Sequence, residues 1–85
     1  MEINYKPTFL RDFKKLSPEI QEEMRDKIKL FKDPENHQKL KVHKLHGRLK
    51  EYYSFSVTYS HRIIFQYETK QTVVFITIGD HTIYN

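Results

Sequence analysis

Five side chains in this sequence have types suited to moving protons or gripping an anion. His43 and His46 lie in "KLKVHKLHGRLK" (39–50), a window with five Lys or Arg, two His and no acid. Arg62 heads "HRIIFQY", and His81 and Tyr84 follow the apolar run "FITIG". An imidazole changes charge near neutral pH and serves as acid or base without extreme tuning. A guanidinium is permanently charged and grips phosphate oxygens in pairs. A phenol can stack on a base or hydrogen-bond a phosphate. Other chemistries lack their parts. The chain has no cysteine, which excludes thiol catalysis and a disulfide scaffold. Gly47 and Gly79 are its only glycines, too few for a phosphate-cradling loop or a nucleophile elbow. His43 and His46 are three apart, with no third and fourth ligand in metal spacing. The expectation is a site without metal or cofactor.

Charge points the same way. Lys and Arg number 15 against 11 Asp and Glu, a formal net charge of +4, and five His can add to it. That balance favours a polyanionic partner, either nucleic acid or an acidic protein segment. At 85 residues the chain is expected to be one domain, 1–85, with a small core. No apolar stretch approaches the roughly 20 residues of a membrane span. "MEINYKPTF" lacks the zones of a signal peptide, so the expected location is the cytoplasm, with no membrane partner.

The elements that must position these residues follow from periodicity. "MEINYK" alternates Met1, Ile3 and Tyr5 with polar residues, a half-buried strand. Pro7 ends it and Thr8 is placed to cap a short helix carrying Leu10, Phe13 and Leu16. "SPE" restarts helix: Ser17 as N-cap, Pro18 first inside, Glu19 facing the positive end of the dipole. Ile20, Met24, Ile28 and Phe31 then form one stripe, and Pro34 closes the segment. "EYYSFSVTY" puts Tyr53, Phe55, Val57 and Tyr59 on one face and Ser54, Ser56 and Thr58 on the other. "HRIIFQYE" and "TVVFITIG" are apolar on both faces and so central in a sheet. The expected fold is α+β, in the order β-α-α-β-β-β, an antiparallel C-terminal meander packed by an N-terminal αα-hairpin.

That order, with "KLHGRLKEYYSFSVTYSHRIIFQY" and "VVFITIGDHTIY", resembles the RelE/ParE superfamily of type II toxin–antitoxin toxins along nearly the whole chain. The resemblance, strongest to the RelE, YoeB and YafQ mRNA interferases, implies a toxin that enters the ribosomal A site and cleaves mRNA. The RNA's own 2′-hydroxyl attacks the adjacent phosphate without a metal. It also implies a cognate antitoxin, with mRNA and ribosomal RNA as further partners. The ParE branch implies instead a toxin that inhibits gyrase and has no nuclease residues. A degenerate relative that only binds antitoxin or RNA is a third reading.

Cleavage of this kind needs a base, a cation on the phosphorane-like transition state, and an acid for the leaving oxygen. Arg62 matches the family's arginine at the head of this strand and is assigned as the phosphate clamp. His81 matches a C-terminal His or Arg, and Tyr84 the C-terminal Tyr. His43 stands near an acidic base of YoeB-like members, and His46 belongs to the "KLHG" word, so either is a candidate base, with Glu51 a third. Lys41, Lys44, Arg48 and Lys50 are candidates for tracking RNA phosphates. Read singly, each lysine is an ordinary solvated residue; the acid-free cluster is what sets them apart. The sequence also departs from its relatives. Ser54 and Ser56 stand where some RelE toxins use lysines, and the Asp-His pattern of YafQ-like members is missing. Because neighbours on a strand point to opposite faces, His61 and Arg62 are not expected to act together.

Overall fold

The computed structural model describes residues 1–80. The chain runs through β1 (Glu2–Tyr5), α1 (Pro7–Lys14), α2 (Pro18–Phe31), β2 (His43–Lys44), β3 (Tyr53–Ser56), β4 (Arg62–Tyr67) and β5 (Thr72–Gly79). Single 3₁₀ turns occupy Pro34–Asn36 and Gly47–Leu49. The five strands form one sheet in the order β1-β5-β4-β3-β2. β5, β4, β3 and β2 are successive antiparallel neighbours, and β1 joins β5 in parallel. The expected α+β meander with its helix pair is therefore present. One strand is added to the expected order: within the basic window, His43 and Lys44 pair with Ser54 and Tyr53 as a short edge strand.

Local chemistry explains the helices. Ser17 is extended and its Oγ accepts from the Ile20 amide, with Pro18 and Glu19 in the first turn, as expected. Met24 and Phe31 are fully buried from α2, and Ile28 packs beside them. In α1 the reading needs correction. Its buried residue is Phe9, whereas Leu10 is 47% exposed. Each helical residue turns the face by about 100°, so an eight-residue helix with apolar side chains at 9, 10 and 13 has two stripes open to it. The N-cap is Lys6, not Thr8. Thr8 instead donates its hydroxyl to the Ile76 carbonyl at 2.6 Å. Asp12 fastens the same helix to β5, accepting from the Thr77 hydroxyl at 2.6 Å and from the Ile78 amide at 3.3 Å.

The helices cover one face of the sheet. Phe31 stacks on Phe55 with centroids 4.5 Å apart and meets Phe65 and Phe75 edge-on at 5.0 and 5.5 Å. Phe55, Ile63, Phe65, Val73 and Phe75 all join this cluster, so β3, β4 and β5 are held by one set of rings. Burying each such side chain contributes about 1.5–3 kcal/mol. The strand pattern expected through Tyr59 stops sooner. β3 ends at Ser56, and Tyr59 lies in the β3–β4 turn, 88% exposed.

Candidate functional site

The other face carries the polar side chains. Ser56 is opposite Arg62, and Ser54 is opposite both Ile64 and His43. Cross-strand partners share a face, so His43, Ser54, Ser56 and Arg62 lie on the same side of the sheet. His43 and Arg62 are two strand spacings and one pleat apart, roughly 10 Å across the sheet and roughly 7 Å along it. A phosphodiester can lie between side chains that start from those points.

Arg62 is half-buried, and its Nη1 donates to Ser56 Oγ at 2.9 Å. That bond aims the guanidinium along the β3–β4 end of the sheet. There it enters a cleft of about 560 Å³ between α2, the chain at 39–41 and the β3–β4 turn. Lys27, Lys39, Lys41 and Arg62 line it, with Glu23 the one acid among the described residues. Lys27 is already engaged: its Nζ lies 3.1 Å from the Val57 carbonyl and 3.6 Å from Glu23. Lys39, Lys41 and Arg62 are the other cations that line the cleft.

The backbone around Leu40 delivers two of those cations. Leu40 is buried, and its carbonyl accepts from the Ser56 amide at 3.0 Å, which ties this segment to the end of β3. Lys41 then adopts φ of 61°, a left-handed conformation that costs a non-glycine residue about 1–2 kcal/mol. The turn places the Lys41 carbonyl 2.8 Å from His43 Nδ1. A carbonyl only accepts, so Nδ1 carries the proton of the neutral ring and Nε2 keeps its lone pair. His43 is exposed, and its Nε2 is thus a base turned to solvent.

The remaining assigned residues are dispersed. Lys44 is opposite Tyr53, on the face away from His43. His46 is exposed and caps the 3₁₀ turn at Gly47–Leu49 without a side-chain bond. Arg48 lies in that turn, Lys50 closes it, and Glu51 follows, all exposed. The structure therefore brings Arg62, Lys41 and His43 to one end of one face and leaves Lys44, His46, Arg48, Lys50 and Glu51 elsewhere. Gly79, the last residue of β5, is opposite Arg62, so the chain leaves the sheet beside that strand position. His81 and Tyr84 lie outside the described residues.

His61 serves the β3–β4 turn. Thr58 Oγ1 accepts from the Ser60 and His61 amides, both at 3.1 Å, and lies 2.8 Å from His61 Nδ1. With its acceptor capacity used, the Thr58 hydroxyl donates to that ring nitrogen. The sequence reading missed Lys27, Lys39, Ser56 and Tyr59 as cleft residues. Ser56 was accessible from alternation alone, since it and Arg62 flank the turn at positions that face the same way. Lys27 carried no signal, because helix packing alone sets its side chain on the β3–β4 turn. Among the described residues, no group of three or more His, Asp or Glu is placed to hold a metal ion, and no helix is long and apolar enough to cross a membrane.

Residues 3–83 match the family model described as ParE toxin of type II toxin–antitoxin system, parDE, and the chain belongs to that family. Its fold is that of several solved toxins. YafQ from E. coli superposes with a TM-score of 0.73 at 19% identity, over 96% of this chain and 94% of that one. The YoeB–YefM complex from Staphylococcus aureus gives 0.73 at 18%, over 95% and 97%. A YoeB/ParE toxin from Agrobacterium tumefaciens gives 0.66 at 19%, over 95% and 99%. No curated protein sequence matches it. This is a RelE/ParE-superfamily type II toxin.

Proposed function

We propose that this toxin is an mRNA endoribonuclease that acts on the ribosome without a metal. One observation carries the reading: a guanidinium held on Ser56 in a basic cleft shares a sheet face with an imidazole whose Nε2 is turned to solvent. In this mechanism His43 Nε2 takes the proton of the RNA 2′-hydroxyl. The 2′-oxygen bonds to the adjacent phosphorus as the bond to the 5′-oxygen breaks. Arg62 holds the phosphate oxygens while charge builds on them. His81 returns a proton to the leaving 5′-oxygen and Tyr84 supports the neighbouring base or phosphate, roles that rest on the resemblance alone. The products are a 2′,3′-cyclic phosphate and a 5′-hydroxyl. A cognate antitoxin, as YefM is to YoeB in the Staphylococcus complex, would neutralise the toxin with an acidic segment matched to the +4 charge.

Mapping mRNA 5′ ends on translating ribosomes tests this with the wild type, Arg62→Ala and His43→Ala. The wild type should cut and both variants should lose most cutting. Intact mRNA with the wild type, accompanied by gyrase-dependent DNA breaks, would overturn it in favour of a gyrase-directed toxin. Two observations favour that second reading: the matching family model is the ParE one, and Ser54 and Ser56 replace the catalytic lysines of some RelE toxins.

A further inference from the structure

The cleft holds more than a phosphate clamp needs. Tyr59 lines it and is 88% exposed, an unusual position for a large aromatic ring. Its turn is tightly built. The Val57 and Thr58 amides donate to the His61 carbonyl at 2.9 and 3.3 Å, and the Thr58 hydroxyl gathers Ser60 and His61 from inside. The ring is thus presented by a fixed backbone rather than by a loose loop. Around the same cleft stand Lys39 and Lys41, both exposed, with Arg62 beyond them. The cleft volume, about 560 Å³, lies within the roughly 300–1,000 Å³ of small-ligand sites.

We propose that Tyr59, Lys39 and Lys41 form a subsite for one unpaired nucleotide of single-stranded RNA, next to the phosphate held by Arg62. The base stacks on the Tyr59 ring, and Lys39 and Lys41 neutralise the phosphates that flank it. A π-face recognises every base, so this contact grips RNA only where a base is unpaired. The lysines answer the backbone regardless of sequence. Tyr59 therefore sets the preference for single strands and positions the strand relative to the cut. The subsite rests on the nuclease reading for its role but not for its binding.

A fluorescein-labelled single-stranded hexaribonucleotide, 2′-O-methylated so that it cannot be cut, measures that binding by anisotropy. Tyr59→Ala should weaken affinity by about 5- to 100-fold, and Tyr59→Trp should preserve it. Lys39→Gln with Lys41→Gln should lower the salt slope, log K against log salt, by about 1.4. The same sequence as a duplex should bind more weakly and without Tyr59 dependence. Tyr59 is exposed at a turn, so the alanine variant keeps its thermal transition. Affinity unchanged in Tyr59→Ala, or an oligonucleotide that the wild type does not bind, overturns the subsite. If the oligonucleotide binds through Tyr59 while mRNA on ribosomes stays intact, the nuclease reading fails and the subsite stands. If mRNA is cut and Tyr59→Ala alters neither affinity nor cut position, the reverse holds.

Discussion

On the helix side of the sheet, β3, β4 and β5 present Phe55, Phe65 and Phe75 to Phe31, and every ring finds another within 6.3 Å. On the opposite side the same β3 and β4 present Ser54, Ser56 and Arg62. Ser54 is fully buried, and its Oγ has no hydrogen-bond partner among the described residues. A buried hydroxyl without a partner costs about 1–3 kcal/mol. Close by, Lys41 holds a left-handed backbone. One face thus gains free energy from packing while the other gives some up to hold cations and an imidazole at the end of a sheet. This is the division expected of a stable scaffold carrying a strained site.

Substitutions on each face should separate stability from activity. Phe31→Ala removes the ring that all three central strands share and should cost about 3–5 kcal/mol, read as a lower midpoint in urea denaturation. Arg62→Ala should leave that midpoint within about 1 kcal/mol of wild type. It should still reduce cleavage of mRNA on ribosomes by about 10²–10³-fold. An Arg62→Ala variant that unfolds would place Arg62 in the scaffold instead. His43→Ala should slow cleavage by about 10²-fold with stability unchanged, because the exposed ring contributes little packing. Lys41→Gly offers the sharpest contrast. Glycine relieves the left-handed strain and should raise stability by about 0.5–1 kcal/mol, while RNA affinity falls through the lost charge. Equal stability of the two proteins would show that the turn is not strained.

The smallest effect concerns alkaline pH. Burial raises the Tyr67 pKa above its ordinary value, with Tyr53 adding to it, and burial does the same for Tyr5. A phenol whose folded pKa is raised favours the fold in its neutral form. The contribution is complete below the unfolded pKa of about 10 and is lost as pH climbs through the folded value. Tyr67→Phe should therefore flatten the loss of stability above about pH 10, measured as thermal midpoint against pH. Both rings are partly exposed, so the change will be slight.

Much of the scaffold was legible in the residues. Ser17, Pro18 and Glu19 mark the start of α2 because capping is local chemistry. Ile20, Met24, Ile28 and Phe31 give its buried stripe because a helix of 14 residues samples its face several times. The eight residues of α1 do not, and there Leu10 stood in for Phe9. The candidate residues were named in the sequence, Arg62 and His43 through the family resemblance and Lys41 through the basic window, while His81 and Tyr84 lie beyond the described part of the chain. The geometry of the site was not legible. The basic window reads as one patch along the chain, yet pairing of His43 with Ser54 and of Lys44 with Tyr53 sends adjacent residues to opposite faces.

By itself the sequence determined the element types, the central strands, the positive charge and the residue types open to acid–base work on an anion. All of these depend on neighbours close in the chain or on simple sums. Only the tertiary structure decided which cations share a cleft, which nitrogen of His43 is left as a base, and that Tyr59 is presented at the cleft rather than buried in a strand. Those outcomes depend on contacts between distant segments: the Leu40 carbonyl on the Ser56 amide, Lys27 on the Val57 carbonyl, and Arg62 on Ser56 across the turn. Local pattern cannot express such contacts, because they exist only once the helices and the sheet have packed.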